Sequence, residues 1–145
     1  MMATGPLLRA LFRCHLWASA RLMPFLVRGR SFEQVLRWAP LVSQTPYSGL
    51  PAAYIVTSVN RTVRHPWLMR DRRCLREGLL GHRFLRLAGF DPELRFGVDP
   101  KSMNAPRLAA HCWVCLDGRP VVSDSLPGMV EIYRHHAGVR KARLT

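Results

Sequence analysis

The chain is expected to be an α+β protein, helices packed on a small antiparallel sheet, and three observations lead there. Apolar residues recur at helical spacing in the first half and again just after Cys74. They alternate between Glu93 and Val98 and again from Ala110 to Asp124, which is the period of strands. Asp117-Gly118 sits between two alternating runs, a dipeptide that favours a two-residue turn with positive φ at both positions. The 145 residues make one structural domain, large enough to bury its own core, with a helical N-terminal region over 1–64 packed on a core over 65–145. No repeat or low-complexity tract interrupts it.

Taken in order, Pro6 to Val27 reads as a helix, because proline is tolerated at the first helical position and an apolar face follows it. Arg9, Arg13, His15 and Arg21 break the apolar run, so it falls short of the roughly 18–20 uninterrupted residues of a membrane span. The expectation is an amphipathic helix packed on the domain, without membrane contact. Ser31-Phe-Glu-Gln34 is a capping-box pattern opening a short helix to Trp38. Pro40 to Pro51 is a loop. Ala52 to Arg64 is a helix with Ile55, Val59 and Val63 on one face, and Pro66 ends it. The next helix carries Cys74 in its first turn, with Asp71 as N-cap and Gly89 as the residue that closes it. Glu93 to Val98 is a strand, and the proline-containing segment from Asp99 to Pro106 is a loop bounding the site entrance. The hairpin follows, then a short helix from Met129 to His135, and the basic end from Arg140 to Arg143 frays.

Counting outward from a two-residue turn sets Val114 opposite Val121, Trp113 opposite Val122 and His111 opposite Asp124. Opposed residues share a face, with Cβ atoms roughly 4.5–5.5 Å apart, so an imidazole is placed beside a carboxylate. Cys74 supplies a thiol at a helix start, where unpaired N–H groups and the helix dipole favour the thiolate that attacks carbonyls. Cys74, Gly78, Gly81, Leu85 and Ala88 lie on one helical stripe. The two glycines would let that stripe lie close to a sheet and bring the sulfur near His111. Cys74 as nucleophile, His111 as base and Asp124 as orienting acid make a Cys-His-Asp triad. Asp117 is nearer His111 in sequence but is assigned to the turn. The bland reading is a cross-strand His–Asp pair and a small core cysteine.

Cys112 and Cys115 form a C-x-x-C beside a histidine, a spacing that zinc sites use. On a strand, residues three apart face opposite sides, and no second pair completes four ligands, His135-His136 being ambiguously placed. No metal is expected, and thiol–imidazole chemistry needs no cofactor.

The segments C-L-R-E-G-L-L from Cys74, A-G-F-D-P-E-L-R-F-G-V from Ala88 and A-H-C-W-V-C-L-D-G-R-P-V-V-S-D from Ala110 closely resemble the leader-cleaving B proteins of lasso peptide biosynthesis. Those are small members of the transglutaminase-like cysteine protease superfamily. The resemblance spans Asp71 to about Tyr133, with a fainter similarity at A-R-L-M-P-F-L from Ala20. It implies a transglutaminase-like, papain-like core and a protease that cuts the leader from a ribosomally made precursor peptide. By matching position it gives Cys74, His111 and Asp124 as nucleophile, base and acid. It further implies a separate ATP-dependent cyclase. Residues 1–64 read as helical and lack the strands of the fused leader-recognition module some members carry, so a separate recognition protein is implied too. Two alternatives stand beside it: a transglutaminase-like acyl transferase, and a non-catalytic basic scaffold that keeps these residues for packing.

Composition adds bounds. A hydrophobic share of 48 % argues against disorder, and four cysteines without a convincing secretion signal point to a reducing cytoplasm. Twenty-two Lys and Arg against nine Asp and Glu give a net charge of +13. That charge suits nucleic acid, an anionic membrane or an acidic partner alike. No zinc-finger, RRM or helix-turn-helix pattern accompanies it, so nucleic acid is not expected as a partner. Arginine outnumbers lysine 20 to 2, a bias that a high-GC bacterial genome produces without functional meaning.

Overall fold

A computed structural model describes residues 5–31, 34–35, 45–64 and 72–136. Among the described residues, three helices pack against a four-stranded antiparallel sheet. Helix α1 is Pro6–Val27, α2 is Ala52–Val63 and α3 is Arg73–Leu87. Strands β1 (Glu93–Val98), β2 (Ala110–Leu116), β3 (Arg119–Val122) and β4 (Val130–His136) lie in the order β3-β2-β1-β4.

The helices bury the faces their spacing dictates. Phe12, Leu16 and Ala20 of α1 recur every fourth residue, as do Ile55, Val59 and Val63 of α2, and all six are buried. They join Leu80, Phe84 and Leu85 of α3 and Leu94, Val114 and Val122 of the sheet in one continuous core. An edge-to-face contact of Phe12 with Phe84, ring centroids 5.5 Å apart, joins α1 to α3. Arg76, 4 % exposed, adds a polar tie by donating to the Ala20 carbonyl at 3.1 Å. His82 is buried as well, and burial above all drives its pKa down to about 3, leaving the ring neutral.

Ends and turns follow their local chemistry. Ser31 Oγ accepts from the Gln34 N–H at 3.3 Å, and Gln34 Oε1 accepts from the Ser31 N–H at 3.0 Å. This is the expected reciprocal capping box, although most of the helix expected to follow lies outside the described residues. The loop expected over 40–51 is described only from residue 45, where a turn runs to residue 50. Pro66 and the Arg140–Arg143 end also fall outside the description. Helix α3 closes at Gly89, φ +86°, with Gly89 N–H on Arg86 O at 2.9 Å and Phe90 N–H on Leu85 O at 3.0 Å. That paired pattern needs the left-handed residue glycine supplies. Asp117 and Gly118 have φ of +49° and +77°, as a type I′ turn requires.

Three expectations are corrected. The N-cap of α3 is Arg72, whose side chain caps nothing, while Asp71 lies outside the described residues. Residues 130–136 form β4 instead of a helix. Val130, Ile132 and Tyr133 suit an extended chain, and pairing with β1 satisfies that strand's outer edge. Cross-strand ion pairs help, Arg95 with Glu131 and Arg134 with Glu93, each at 3.8 Å. Finally, the hairpin ladder slips. Leu116 faces Arg119 and Cys115 faces Pro120 as counted, but Val114 faces Val122, because Val121 bulges out of register.

A Cβ built on Gly81 would lie 2.8 Å from a methyl of Val122, a fully buried and χ1-stiff side chain. Gly81→Ala gains up to about 1 kcal/mol of helix propensity but overpacks this contact at a cost of about 1–3 kcal/mol. The expected outcome is a lowered urea midpoint. A raised midpoint would contradict the close approach.

Candidate active site

Cys74 is the second residue of α3, inside the first turn, where N–H groups have no intrahelical acceptor and the dipole is positive. What lies against its sulfur is set by the glycine stripe. A Cβ on Gly78, one turn along α3, would fall 2.9 Å from Cys112 Sγ and 3.1 Å from Leu94. Without it the helix settles onto β2, and Cys112 Sγ reaches the Cys74 main-chain carbonyl at 2.9 Å.

Three groups favour negative charge on the Cys74 sulfur: the Cys112 thiol, the His111 imidazole and the Cys112 main-chain N–H. The β2–β3 ladder stops at Val122, which leaves that N–H for the sulfur. The Cys112 thiol contributes most to lowering the Cys74 pKa; half-burial opposes it, and the net result is about 5. The same pairing with Cys74, reinforced by burial, pushes the Cys112 thiol far above the ordinary range, and burial raises Cys115 as well. Cys74 is therefore the thiolate at neutral pH, with Cys112 the proton donor beside it.

His111 is held by two contacts. Its ring stacks on Trp113, centroids 6.1 Å apart at 20°, and Trp113 lies over Gly97, where a Cβ would come within 3.1 Å of the indole. Its Nε2 lies 2.9 Å from the Asp124 main-chain oxygen. A carbonyl only accepts, so Nε2 carries the proton and Nδ1 is the nitrogen left to exchange one with the thiol.

The three sequence-predicted residues thus come together, but with a different group of Asp124 against the ring. The expected partner was the carboxylate. The bulge at Val121 and a positive φ of +54° at Ser123 turn the chain so that the carbonyl of Asp124 faces His111, and its side chain is exposed. Ser123 Oγ donates to Glu77 Oε2 at 3.2 Å, tying this strained corner to α3 one turn beyond Cys74. Asp117 stays in the turn.

Cys112, Ser123 and Glu77 were missed as parts of the site. The alternation that put Cys112 on the face of Val114, together with glycine at position 78, was the signal for Cys112. Nothing in the pattern signalled the bulge that recruits Ser123 and Glu77. The same alternation splits the C-x-x-C pair, Cys112 against α3 and Cys115 on the face of Trp113. Among the described residues no group of three or more His, Cys, Asp or Glu is placed to hold a metal. A cavity of about 260 Å³ between α1, α3 and the sheet, lined by Leu22, Met23, Leu26, Leu79, His82 and His135 among others, includes none of the three site residues. No described helix is long and apolar enough to cross a membrane.

A helix opening on a thiolate, laid across an antiparallel sheet whose second strand brings the imidazole, is the arrangement of a thiol–imidazole acyl-transfer site. The family model of the transglutaminase-like superfamily matches residues 19–137, and the chain belongs to that superfamily. Membership is consistent with cysteine protease or acyltransferase activity. No curated protein and no solved structure matches the chain.

With Cys74 depressed to about 5, its thiolate persists as pH falls from 9 to 6, whereas an ordinary thiol of pKa near 8.5 is protonated below 8. Iodoacetamide at pH 6 should therefore alkylate Cys74 well before Cys112 or Cys115. Peptide mapping checks this, and equal labelling of all three would contradict an activated Cys74.

Proposed function

We propose that the protein is a cysteine endopeptidase that removes the leader from a ribosomally synthesised lasso precursor peptide. The observation that carries the chemistry is the Cys74 sulfur held between the Cys112 thiol and the His111 imidazole at the start of α3. The substrate class rests on the resemblance of the Cys74, Ala88 and Ala110 segments to the leader-cleaving B proteins, within a superfamily match that covers all three.

In this reading the Cys74 thiolate adds to the carbonyl carbon of the leader's last residue. The oxyanion forms next to the Cys74 main-chain N–H, in the first turn of α3. Protonated His111 delivers its Nδ1 proton to the departing amine, and the carbon–nitrogen bond breaks to leave a thioester on Cys74. Water then attacks the thioester, with Nδ1 taking its proton, and leader acid and free thiolate separate. The Asp124 carbonyl holds Nε2–H throughout, fixing the tautomer in which Nδ1 does the work. The freed core-peptide amine is the nucleophile that a separate ATP-dependent cyclase would join to a side-chain carboxyl. A separate recognition protein would present the leader, since a flexible peptide held by the protease alone binds weakly.

Cys74→Ala should abolish cleavage of a precursor, read by mass spectrometry, while circular dichroism stays unchanged. The wild-type rate should rise when the cognate recognition protein is added. Full turnover by Cys74→Ala would end the reading. Amide-linked products in place of the hydrolysed leader would convert it to acyl transfer.

Asp124→Ala keeps the main-chain carbonyl that holds the ring, so its cleavage rate should fall by less than about tenfold. Loss of a working triad carboxylate costs about 10⁴-fold, and a drop of that size would assign the role to the side chain.

A further inference from the structure

Cys112 is a second thiol in contact with the nucleophile, and acyl transfer does not consume it. Its sulfur sits against both the carbonyl and the sulfur of Cys74, wedged under the α3 turn by the missing side chain at Gly78. It is 2 % exposed, whereas Cys74 is only partly buried. Of the other two thiols, Cys14 is on the surface of α1 and Cys115 lies on the opposite face of β2. Within the Cys74–Cys112 pair, one thiol is thus reachable by small oxidants, and one waits directly behind it.

We propose that Cys74 is a site of reversible oxidation by hydroperoxides and that Cys112 resolves it, closing a Cys74–Cys112 disulfide that blocks the site until a thiol reductant reopens it. The inference rests on Cys74 being the activated thiol of the proposed peptidase and adds a modification of that same residue. In the first step the thiolate attacks one peroxide oxygen, the O–O bond breaks, and hydroxide leaves and takes up a proton as water. Cys74 becomes a sulfenic acid, oxidised by two electrons while the peroxide is reduced by two. In the second step Cys112 sulfur attacks Cys74 sulfur, the S–S bond forms, the S–O bond breaks, and the hydroxyl leaves as water with the Cys112 proton. Two thiols and one hydrogen peroxide give one disulfide and two waters.

The order of events is built into the pair. While Cys74 is a thiolate, its negative charge and hydrogen bond keep Cys112 protonated and unreactive. Conversion of Cys74 to a neutral sulfenic acid removes that anion, and with it the largest cause of the raised Cys112 pKa. The resolving thiol is released only after the nucleophile has been oxidised. A disulfide at this stage spares Cys74 from the irreversible sulfinic acid.

The test uses the full reduced chain and hydrogen peroxide, followed by alkylation, tryptic digestion and mass spectrometry. A cross-link of peptide 74–76 to peptide 108–134 (trypsin does not cut Arg119 before Pro120), lighter by two hydrogens and located to Cys112 by fragmentation, is expected. Dithiothreitol should restore alkylation of Cys74 fully. Cys112→Ala, and Cys112→Ser as a milder change, should instead accumulate Cys74 sulfinic acid that dithiothreitol does not reverse, with circular dichroism confirming that both variants fold. Equal sulfinic acid formation in wild type and variants, without the cross-link, would overturn the proposal, as would a cross-link through Cys14 or Cys115. These readouts need no peptide substrate. A chain that forms the cross-link but cleaves no precursor removes only the peptidase reading, and the reverse result removes only this one.

Discussion

The contact between α3 and the sheet at Gly78 and Gly81 sets everything else. Two absent side chains let a helix backbone lie against Cys112, Leu94 and Val122 at distances a Cβ would forbid. The position of the helix N-terminus over β2 follows from that approach, and so does the Cys74 sulfur. Arg76 on Ala20 and Phe84 against Phe12 fix the other side of the same helix to α1. α3 is therefore clamped between an apolar layer and a sheet, and the first turn has little room to drift. Positions held this tightly are what pre-organised chemistry requires.

Electrostatics at the sulfur then become a contest between burial and donors. Half-burial alone would favour the neutral thiol. Two side chains and one main-chain N–H outweigh it, and they come from two consecutive residues of one strand, His111 and Cys112. Successive residues of a regular strand point to opposite faces, so both can address one sulfur only where that sulfur lies beyond the end of the β2–β3 ladder, close to the strand's edge. The early end of β3 at Val122 and the bulge at Val121 create that edge.

Elements whose signals are local were legible in the sequence. Helix α1, strand β1 and the type I′ turn have the bounds expected, and the Gly89 closure and the Ser31–Gln34 box have the expected bonds. Each rests on propensity or on hydrogen bonds within a few residues. The misses are of another kind. The segment from 129 carries apolar residues at 129, 130, 132 and 133 that fit a helical turn as well as a strand, and only the open edge of β1 decides for β4. The bulge at Val121 depends on how the hairpin meets α3, through Val122 against Gly81 and Ser123 against Glu77, which no counting from the turn contains. For the site, residue types and approximate neighbourhood were readable at Cys74, His111 and Asp124. Which atom of Asp124 meets the ring was not, because one extra residue in a ladder rotates everything beyond it.

The placement of β4 has a consequence for the order in which this molecule can come apart. β4 bonds to β1 alone, six of its seven residues are exposed, and it supplies none of the groups around Cys74 or His111. Those groups come from α3, β2 and the corner after β3, at the opposite edge of the sheet. Native proteins open piecemeal, and segments with few buried contacts open first. β4 can peel away and re-anneal many times for each global unfolding event, while the thiolate and its imidazole stay in register. The chain is thereby partitioned into a fraying margin and a kinetically durable centre, with the reactive sulfur on the durable side.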